Sequence, residues 1–251
     1  MIVKQRDAQR TTIAALDRRA ASSRDAVRSL ACASAASRLR ADVTTQHAAD
    51  LIDIQFGQSD EWAVIHDLRL RVGGHALQIN HVLIDSSLRF ICLDTRFLEF
   101  GLDIGAQGRC HTVTRFESRP VASPINKMAK DVRMVRVCLQ ESGILPRRYH
   151  LMQRASVQGF ILTNPGLRLN IHPEARKLRD TGAYASSALF SMLWKRDAGS
   201  KKLFSARLGA EDLRGVAERL AALHEPVFSP ALLEPENLVD DHTRALLVGQ
   251  Y

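Results

Sequence analysis

The sequence predicts an α/β protein in which a mixed central β-sheet is flanked by helices. Three observations support this class: short apolar segments typical of strands between residues 62 and 93, a strongly patterned helix from residue 124, and a continuous apolar segment over residues 157–163. The last of these is typical of a buried parallel strand. Strands with helices before and after them favour a single α/β domain. We expect this domain over residues 46–225, between an N-terminal extension (1–45) and a C-terminal tail (226–251).

The N-terminal extension is basic and is predicted to be helical or partly disordered. Residues 25–40 are rich in Ala, Leu and Arg, which are good helix formers. Up to Thr45, nine Lys and Arg residues oppose four Asp residues. Two interpretations follow: an arm that grips a phosphate backbone, or a solvated helical extension.

The first predicted strands lie over residues 62–67, 76–84 and 89–93, which are rich in β-branched and aromatic residues. Gly73 and Gly74 supply the first turn, and residues 85–87 supply the second. Two further strands are expected over residues 98–104 and 109–113. Together the five strands would complete an antiparallel meander.

The clearest predicted helix begins after Ser123, a candidate N-cap, with Pro124 at its first position. Gly143 and Pro146 are expected to end it. Its apolar residues form one stripe for packing on the sheet: Met128, Val132, Val135 and Leu139. Its cations recur at every third position, which favours a broad solvated flank over a DNA-contacting one: Lys127, Lys130, Arg133 and Arg136. Further helices are predicted over residues 186–194 and 210–223, the second with acids in its first turn.

Composition indicates an ordinary globular protein with a cationic surface. The 251 residues include 35 Lys and Arg against 27 Asp and Glu, which gives a formal net charge of +8. Such an excess favours a polyanionic partner such as a nucleic acid, and the alternative is that an arginine-rich genome raises the isoelectric point generally. The sequence has no apolar stretch of about 18 residues and no apolar segment behind the first residues, so we expect no membrane span and a cytoplasmic location. The four cysteines are widely spaced, which favours buried, reduced thiols: Cys32, Cys92, Cys110 and Cys138.

The candidate site lies on the second and third of the predicted strands. Asp94 and Arg96 are two residues apart and therefore leave the same face of a strand. If the preceding strand pairs antiparallel with this one, Asn80 lies beside Asp94. This layout matches the acid, acid-x-lysine arrangement of many nucleases, in which two carboxylates hold Mg²⁺ and a lysine stabilises the transition state. His81 should point to the opposite face, where a buried, hydrogen-bonded histidine is expected rather than a ligand.

In these segments the chain resembles the nuclease-related domain (NERD) family of the PD-(D/E)xK nuclease superfamily. Residues 76–83 resemble the family's AQIDHxxL strand, residues 91–96 resemble its acid-x-Lys strand, and residues 123–127 match the start of its SPIxQ helix. The resemblance covers roughly residues 45–165. It implies a restriction-endonuclease-like core, a DNA-processing activity that uses Mg²⁺ or Mn²⁺, and catalytic positions at Asn80, Asp94 and Arg96.

The departures from the family pattern change the chemistry expected at the site. The family's Asp is Asn80, its Glu is Asp94, and its Lys is Arg96, which is planar and never loses its proton. Its helix glutamine is Lys127. With these changes Asp94 should hold a metal weakly at most, whereas Arg96, Lys127 and Lys130 should contact phosphate.

A family glutamate expected near Thr45 is not evident either, and neither Asp50 nor Asp53 clearly replaces it. The favoured function is DNA binding with an impaired phosphodiesterase site. The alternatives are a non-catalytic interaction or scaffold protein that keeps only the fold, and an active nuclease that uses Asn80 as a neutral ligand.

Overall fold

The structure, a computed structural model, describes residues 1–7, 9–40, 43–96, 98, 100–114, 116–146, 155–176, 180–189, 191, 193 and 207–225. The chain divides into two compact units. Met1–Arg6 and Thr44–His224 form the larger unit, and Asp7–Val43 belong to the smaller one. The predicted tail, residues 226–251, lies outside the described residues.

The described residues form two β-sheets and a set of helices. The strands are β1 (Ile2–Lys4), β2 (Trp62–Val72), β3 (His75–Asp85), β4 (Arg89–Arg96), β5 (Gly101–Ile104), β6 (Cys110–Val113), β7 (Ser118–Val121), β8 (Ser156–Thr163), β9 (Leu169–Ile171) and β10 (Thr181–Ala185). The helices are α1 (Gln9–Ser22), α2 (Ala26–Arg40), α3 (Val43–Phe56), α4 (Pro124–Glu141), α5 (Pro173–Arg176) and α6 (Ala210–Ala221). Short 3-10 segments lie at Ala106–Gly108 and Ser186–Ala188.

The main sheet has six strands in the order β1-β2-β3-β4-β8-β10. Strands β2, β3 and β4 pair antiparallel, whereas β1 with β2, β4 with β8, and β8 with β10 are parallel. The predicted α/β class with a mixed sheet is therefore confirmed. Ile2–Lys4 belong to this sheet, and the Met1 amino group donates to the carbonyl of Phe56 at 2.8 Å, so the first residues are held in the larger unit.

The antiparallel part of the sheet is built by two tight turns. Gly73 and Gly74 join β2 to β3 with positive φ angles of 55° and 79°, which glycine adopts without steric cost. Between β3 and β4, the Asp85 carboxylate accepts from the backbone N–H groups of Ser87 and Arg89 at 2.9 and 3.0 Å. The three strands predicted first are thus confirmed as a meander.

The two further predicted strands, β5 and β6, exist but do not extend that meander. They belong to a second sheet of order β7-β6-β5-β9. The prediction of one five-stranded meander was wrong because the free side of β4 is taken by β8, which pairs with it from Arg89 to Arg96. No edge of β4 remains for β5, and the chain starts a separate sheet.

Helix α4 packs on one face of the main sheet as its sequence predicts. The Ser123 hydroxyl accepts from the Asn126 N–H at 3.2 Å, and Pro124 occupies the first turn. The apolar stripe is buried, and Met128 and Val132 face Gly159 of β8 so closely that a Cβ there would overlap the Met128 sulfur. The missing side chain of Gly159 therefore sets how near the helix comes to the sheet.

Helix α3 covers the opposite face of the sheet. Its buried residues Ala48, Ile52 and Phe56 pack in one cluster with Leu83 and Ile91 of the sheet. Two helical layers therefore enclose the sheet. Helix α6 is confirmed at Ala210–Ala221, whereas the helix predicted over residues 186–194 is described only in part.

In the smaller unit, α1 and α2 bury Leu16, Cys32 and Ala36 against each other, and Asp25 caps α2 by accepting from the N–H of Val27 at 3.0 Å. The helices predicted in the N-terminal extension are thus present. All four cysteines are buried and free, as predicted. None of the described helices is long and apolar enough to cross a membrane.

Candidate functional site

Asn80 and Asp94 lie next to each other across β3 and β4. The last ladder pair of these strands is His81 with Leu93, and one residue beyond it in each strand come Asn80 and Asp94. The Asn80 side-chain oxygen accepts from the backbone N–H of Thr95 at 2.9 Å. The amide oxygen that would be a neutral metal ligand is thus engaged by the backbone of the neighbouring strand.

Asp94 and Arg96 form an ion pair at the end of β4. Arg96 places Nε and Nη2 at 3.1 and 3.0 Å from the same carboxylate oxygen, Asp94 Oδ2. The Asp94 side chain is only 10% exposed, while that of Arg96 is 43% exposed. The guanidinium therefore covers the carboxylate and keeps part of its own donor surface toward solvent.

Lys127 adds a second cation to the same carboxylate. Its ammonium lies 3.8 Å from Asp94 Oδ2 and 2.6 Å from Asp131 Oδ2. Asp131, one helical turn after Lys127, is nearly buried, and its role was missed from the sequence although the i, i+4 spacing signals such a pair. We call Asp94, Arg96, Lys127 and Asp131 the Asp94 cluster. Two carboxylates and two cations give it a formal charge of zero.

Helix α3 reaches the site through Thr45. The Thr45 hydroxyl hydrogen-bonds the hydroxyl of Thr95, the residue between Asp94 and Arg96, at 2.5 Å. The resemblance places a glutamate near Thr45. This position therefore lies beside the strand that carries Asp94, but Thr45 brings no charge to it. Asp50 instead accepts from Gln46, and Asp53 contacts His66, so neither acid joins the Asp94 cluster.

The cationic flank predicted on α4 divides into two parts. Lys130 and Arg133 are exposed, and no carboxylate pairs with them among the described residues. Arg136 instead turns toward the sheet edge, where it donates to the Val157 carbonyl at 2.8 Å and to Asp180 at 2.7 Å. Lys130 and Arg133 therefore offer positive charge to solvent on the helix that carries Lys127.

A buried histidine pair lies on the α3 face. The Nδ1 atoms of His66 and His81 are 2.7 Å apart, and His66 Nε2 is 2.8 Å from Asp53 Oδ1. The prediction of a buried, hydrogen-bonded His81 is confirmed. Burial is the main cause that lowers the pKa of both imidazoles, with the Asp53 carboxylate opposing this at His66. Both rings are therefore neutral at pH 7, which suits a structural role.

The donor set at the Asp94 cluster fits a divalent cation poorly. Mg²⁺ and Mn²⁺ select carboxylate oxygens and lose hydration water reluctantly. Both carboxylates of the cluster contact the Lys127 ammonium, and one also contacts a guanidinium. Within the described residues no group of three or more His, Cys, Asp or Glu side chains is arranged to hold a metal.

The chain was compared with protein-family models, curated proteins and solved structures, and none of them matches it. The resemblance to nuclease-related domain proteins therefore stays a prediction from the motifs. The geometry adds a local observation: the motifs named for that resemblance lie on β3, β4 and α4. Asn80 accepts from the residue after Asp94, and Lys127 lies 3.8 Å from Asp94.

Proposed function

We propose that this chain is a DNA-binding protein of the nuclease-related type whose phosphodiesterase site is impaired. One observation carries the proposal: within the described residues, Arg96 and Lys127 both form ion pairs with the same oxygen of Asp94, Oδ2. A carboxylate whose charge is already balanced by two protein cations attracts a divalent metal weakly. Metal-assisted attack of water on a phosphodiester then lacks its main electrostatic support.

The same changes favour direct contact with phosphate. Arg96 retains exposed guanidinium surface, and guanidinium groups bind phosphate oxygens through paired hydrogen bonds. Lys130 and Arg133 extend the positive charge along α4. The formal net charge of +8 supports binding through release of counterions from the DNA backbone. A cytoplasmic location is part of the proposal, and the four free cysteines support it because reducing compartments keep thiols unpaired.

The test is the salt dependence of duplex DNA affinity, measured by fluorescence anisotropy over a series of KCl concentrations. We expect the logarithm of the association constant to fall linearly with the logarithm of salt concentration. Lys130→Gln and Arg133→Gln should each lower affinity for all sequences and reduce the slope by about one. Gln140→Ala, an uncharged change at an exposed position of the same helix, is the control and should leave the slope unchanged.

The competing function, a scaffold protein that keeps only the fold, has a different outcome in this experiment. A scaffold protein should show little affinity for duplex DNA and no steep dependence of that affinity on salt concentration. Absence of binding at low salt, or binding that neither Lys130→Gln nor Arg133→Gln weakens, would reject the DNA-binding proposal.

A further inference from the structure

Two phenylalanine side chains are exposed at one end of the second sheet. Phe116 is 95% exposed and Phe100 is 44% exposed. Strands β5 and β6 end their pairing at Gly101 with Val113. Phe100 directly precedes β5, and Phe116 lies in the turn that leads from β6 to β7. Both rings therefore belong to the same end of the sheet.

The turn that carries Phe116 is fixed by hydrogen bonds. The Thr114 hydroxyl accepts from the N–H groups of Phe116 and Glu117 at 3.1 and 3.0 Å. The Thr114 N–H donates to the Glu117 carbonyl at 2.9 Å. The backbone thus holds a large apolar ring outward, although partial burial would be favourable for an isolated phenylalanine. An aromatic side chain in such a position suits a ligand with a flat face.

One arginine lies at the same end of the second sheet. The Arg168 carbonyl accepts from the Leu102 N–H at 2.9 Å, which places Arg168 beside the start of β5. Its side chain is exposed, and no acid is paired with it in the described part of the chain. We call Phe100, Phe116 and Arg168 the aromatic–arginine edge.

We propose that the aromatic–arginine edge binds single-stranded DNA, with unpaired bases stacked on Phe116 and Phe100 and phosphates near Arg168. This inference rests on the proposed DNA-binding function and adds single-stranded DNA to the duplex form expected there. A base in a duplex is covered by its neighbours, so an exposed ring can stack only on an unpaired base. Sites for single-stranded DNA combine aromatic side chains, on which bases stack, with cationic side chains near the phosphate backbone.

The test compares labelled oligothymidylate with a duplex of the same length by fluorescence anisotropy. Phe116→Ala should lower single-strand affinity by about tenfold, in line with the loss of one base stack. Duplex affinity should not change, and Phe116→Trp should keep single-strand affinity because indole stacks as well. Val121→Ala, another exposed apolar position of the same sheet, is the control and should behave as the native chain.

A second readout reports stacking directly. An oligonucleotide containing 2-aminopurine should lose fluorescence when it binds the native chain. The loss should be smaller with Phe116→Ala, while Arg168→Gln should weaken binding and leave the quenching at saturation unchanged. Melting temperatures of all variants should agree, since the substituted side chains are exposed.

The outcomes separate this inference from the proposed function. If the native chain binds duplex DNA with a salt slope but Phe116→Ala leaves single-strand affinity unchanged, the stacking inference is wrong and the proposed function stands. Equal loss on both DNA forms also contradicts stacking. If Phe116→Ala changes the sedimentation coefficient of the free protein, the ring is covered by a second copy of the chain, and the inference fails. If neither DNA form binds at low salt, both proposals fail.

Discussion

Asp94 and Arg96 are two residues apart on one strand, and Asp94 Oδ2 lies 3.0 Å from Arg96 Nη2. The same oxygen is 3.8 Å from the Lys127 ammonium. In a metal-dependent nuclease a carboxylate at a strand end is valuable because its charge is available to a cation. In this protein, the side chains of Arg96 and Lys127 already neutralise that carboxylate.

Placing an acid at position 80 and lowering the positive charge around Asp94 should create affinity for a divalent metal. The triple variant Asn80→Asp, Arg96→Lys, Lys127→Gln adds one carboxylate and removes the Lys127 ammonium that contacts Asp94 and Asp131. It also replaces the guanidinium on Asp94 with the smaller ammonium of a lysine. We expect Mn²⁺ binding that calorimetry detects in the variant, together with a gain in Mn²⁺-dependent DNA cleavage. Lys130→Gln removes one positive charge from the same helix without touching the Asp94 cluster, and it should gain neither property.

The ion pair between Lys127 and Asp131 should contribute to stability. Lys127→Met leaves the nearly buried Asp131 carboxylate without its partner at 2.6 Å. We expect a loss of about 1 kcal/mol in the free energy of unfolding, because the lysine is partly exposed and solvent screens the pair. Adding Asp131→Asn should recover part of the loss. Urea unfolding of Lys127→Met, Asp131→Asn and the double variant measures this coupling, and purely additive losses would contradict it.

The buried histidines should make the protein less stable in mild acid. Burial lowers the pKa of His66 and His81 below the ordinary value of 6.5. Well above pH 6.5 the imidazoles are neutral in both the folded and the unfolded states, so they add no pH dependence. As pH falls below 6.5 the unfolded chain takes up protons that the folded chain resists, and stability falls until the folded pKa is reached. Each histidine contributes up to about 1.4 kcal/mol per pH unit in this window.

Urea midpoints at pH 7.5 and pH 5.5 measure this dependence. Two acids near the pair, Asp53 and Asp67, favour protonation of His66, and Arg6 opposes it. His81→Gln should reduce the dependence on pH. His75→Gln, at an exposed position on the same strand, is the matched control and should retain the native dependence. Equal urea midpoints of the native chain at the two pH values would contradict the expected destabilisation by the buried histidines.

Gly159 should be intolerant of a side chain. An added Cβ would lie 2.5 Å from Met128 Cγ and 2.6 Å from Val132 Cγ2, so α4 would have to move away from β8. Gly159→Ala should cost about 1–3 kcal/mol of stability. Gly105→Ala, where the nearest atom would be at an ordinary 3.5 Å, is the control. In thermal unfolding, Gly159→Ala should therefore have a clearly lower melting temperature than Gly105→Ala.

Local sequence patterns were sufficient for much of the fold. The Ser123-Pro124 start and the apolar stripe of α4 are patterns within one helix. The glycine turn of the first hairpin and its flanking strands are likewise set by residues close together in the sequence. Strand β1, with only three residues, leaves no such pattern because it is fixed by distant pairing with β2. The separation of β5 and β6 into a second sheet follows from the pairing of β4 with β8, which residue type alone does not encode.

At the candidate site, the position of Asn80 beside Asp94 followed from strand spacing, but the ion pairs did not. The pairing of Asp131 with Lys127 could have been predicted, because its i, i+4 spacing is a known signal. The contact between His66 and His81 required the cross-strand register, which pairs those two residues directly. The exposure of Phe100 and Phe116 was not predicted from the sequence, because it depends on how the second sheet ends.

The most direct test of the proposal, that protein cations occupy the Asp94 carboxylate and impair a nuclease-type activity, is plasmid nicking in the presence of Mn²⁺. The native chain and Asp94→Ala are assayed side by side at equal concentration, with the triple variant as the positive comparison. We expect the native chain to nick no faster than Asp94→Ala. Robust nicking by the native chain that Asp94→Ala abolishes would contradict the claim.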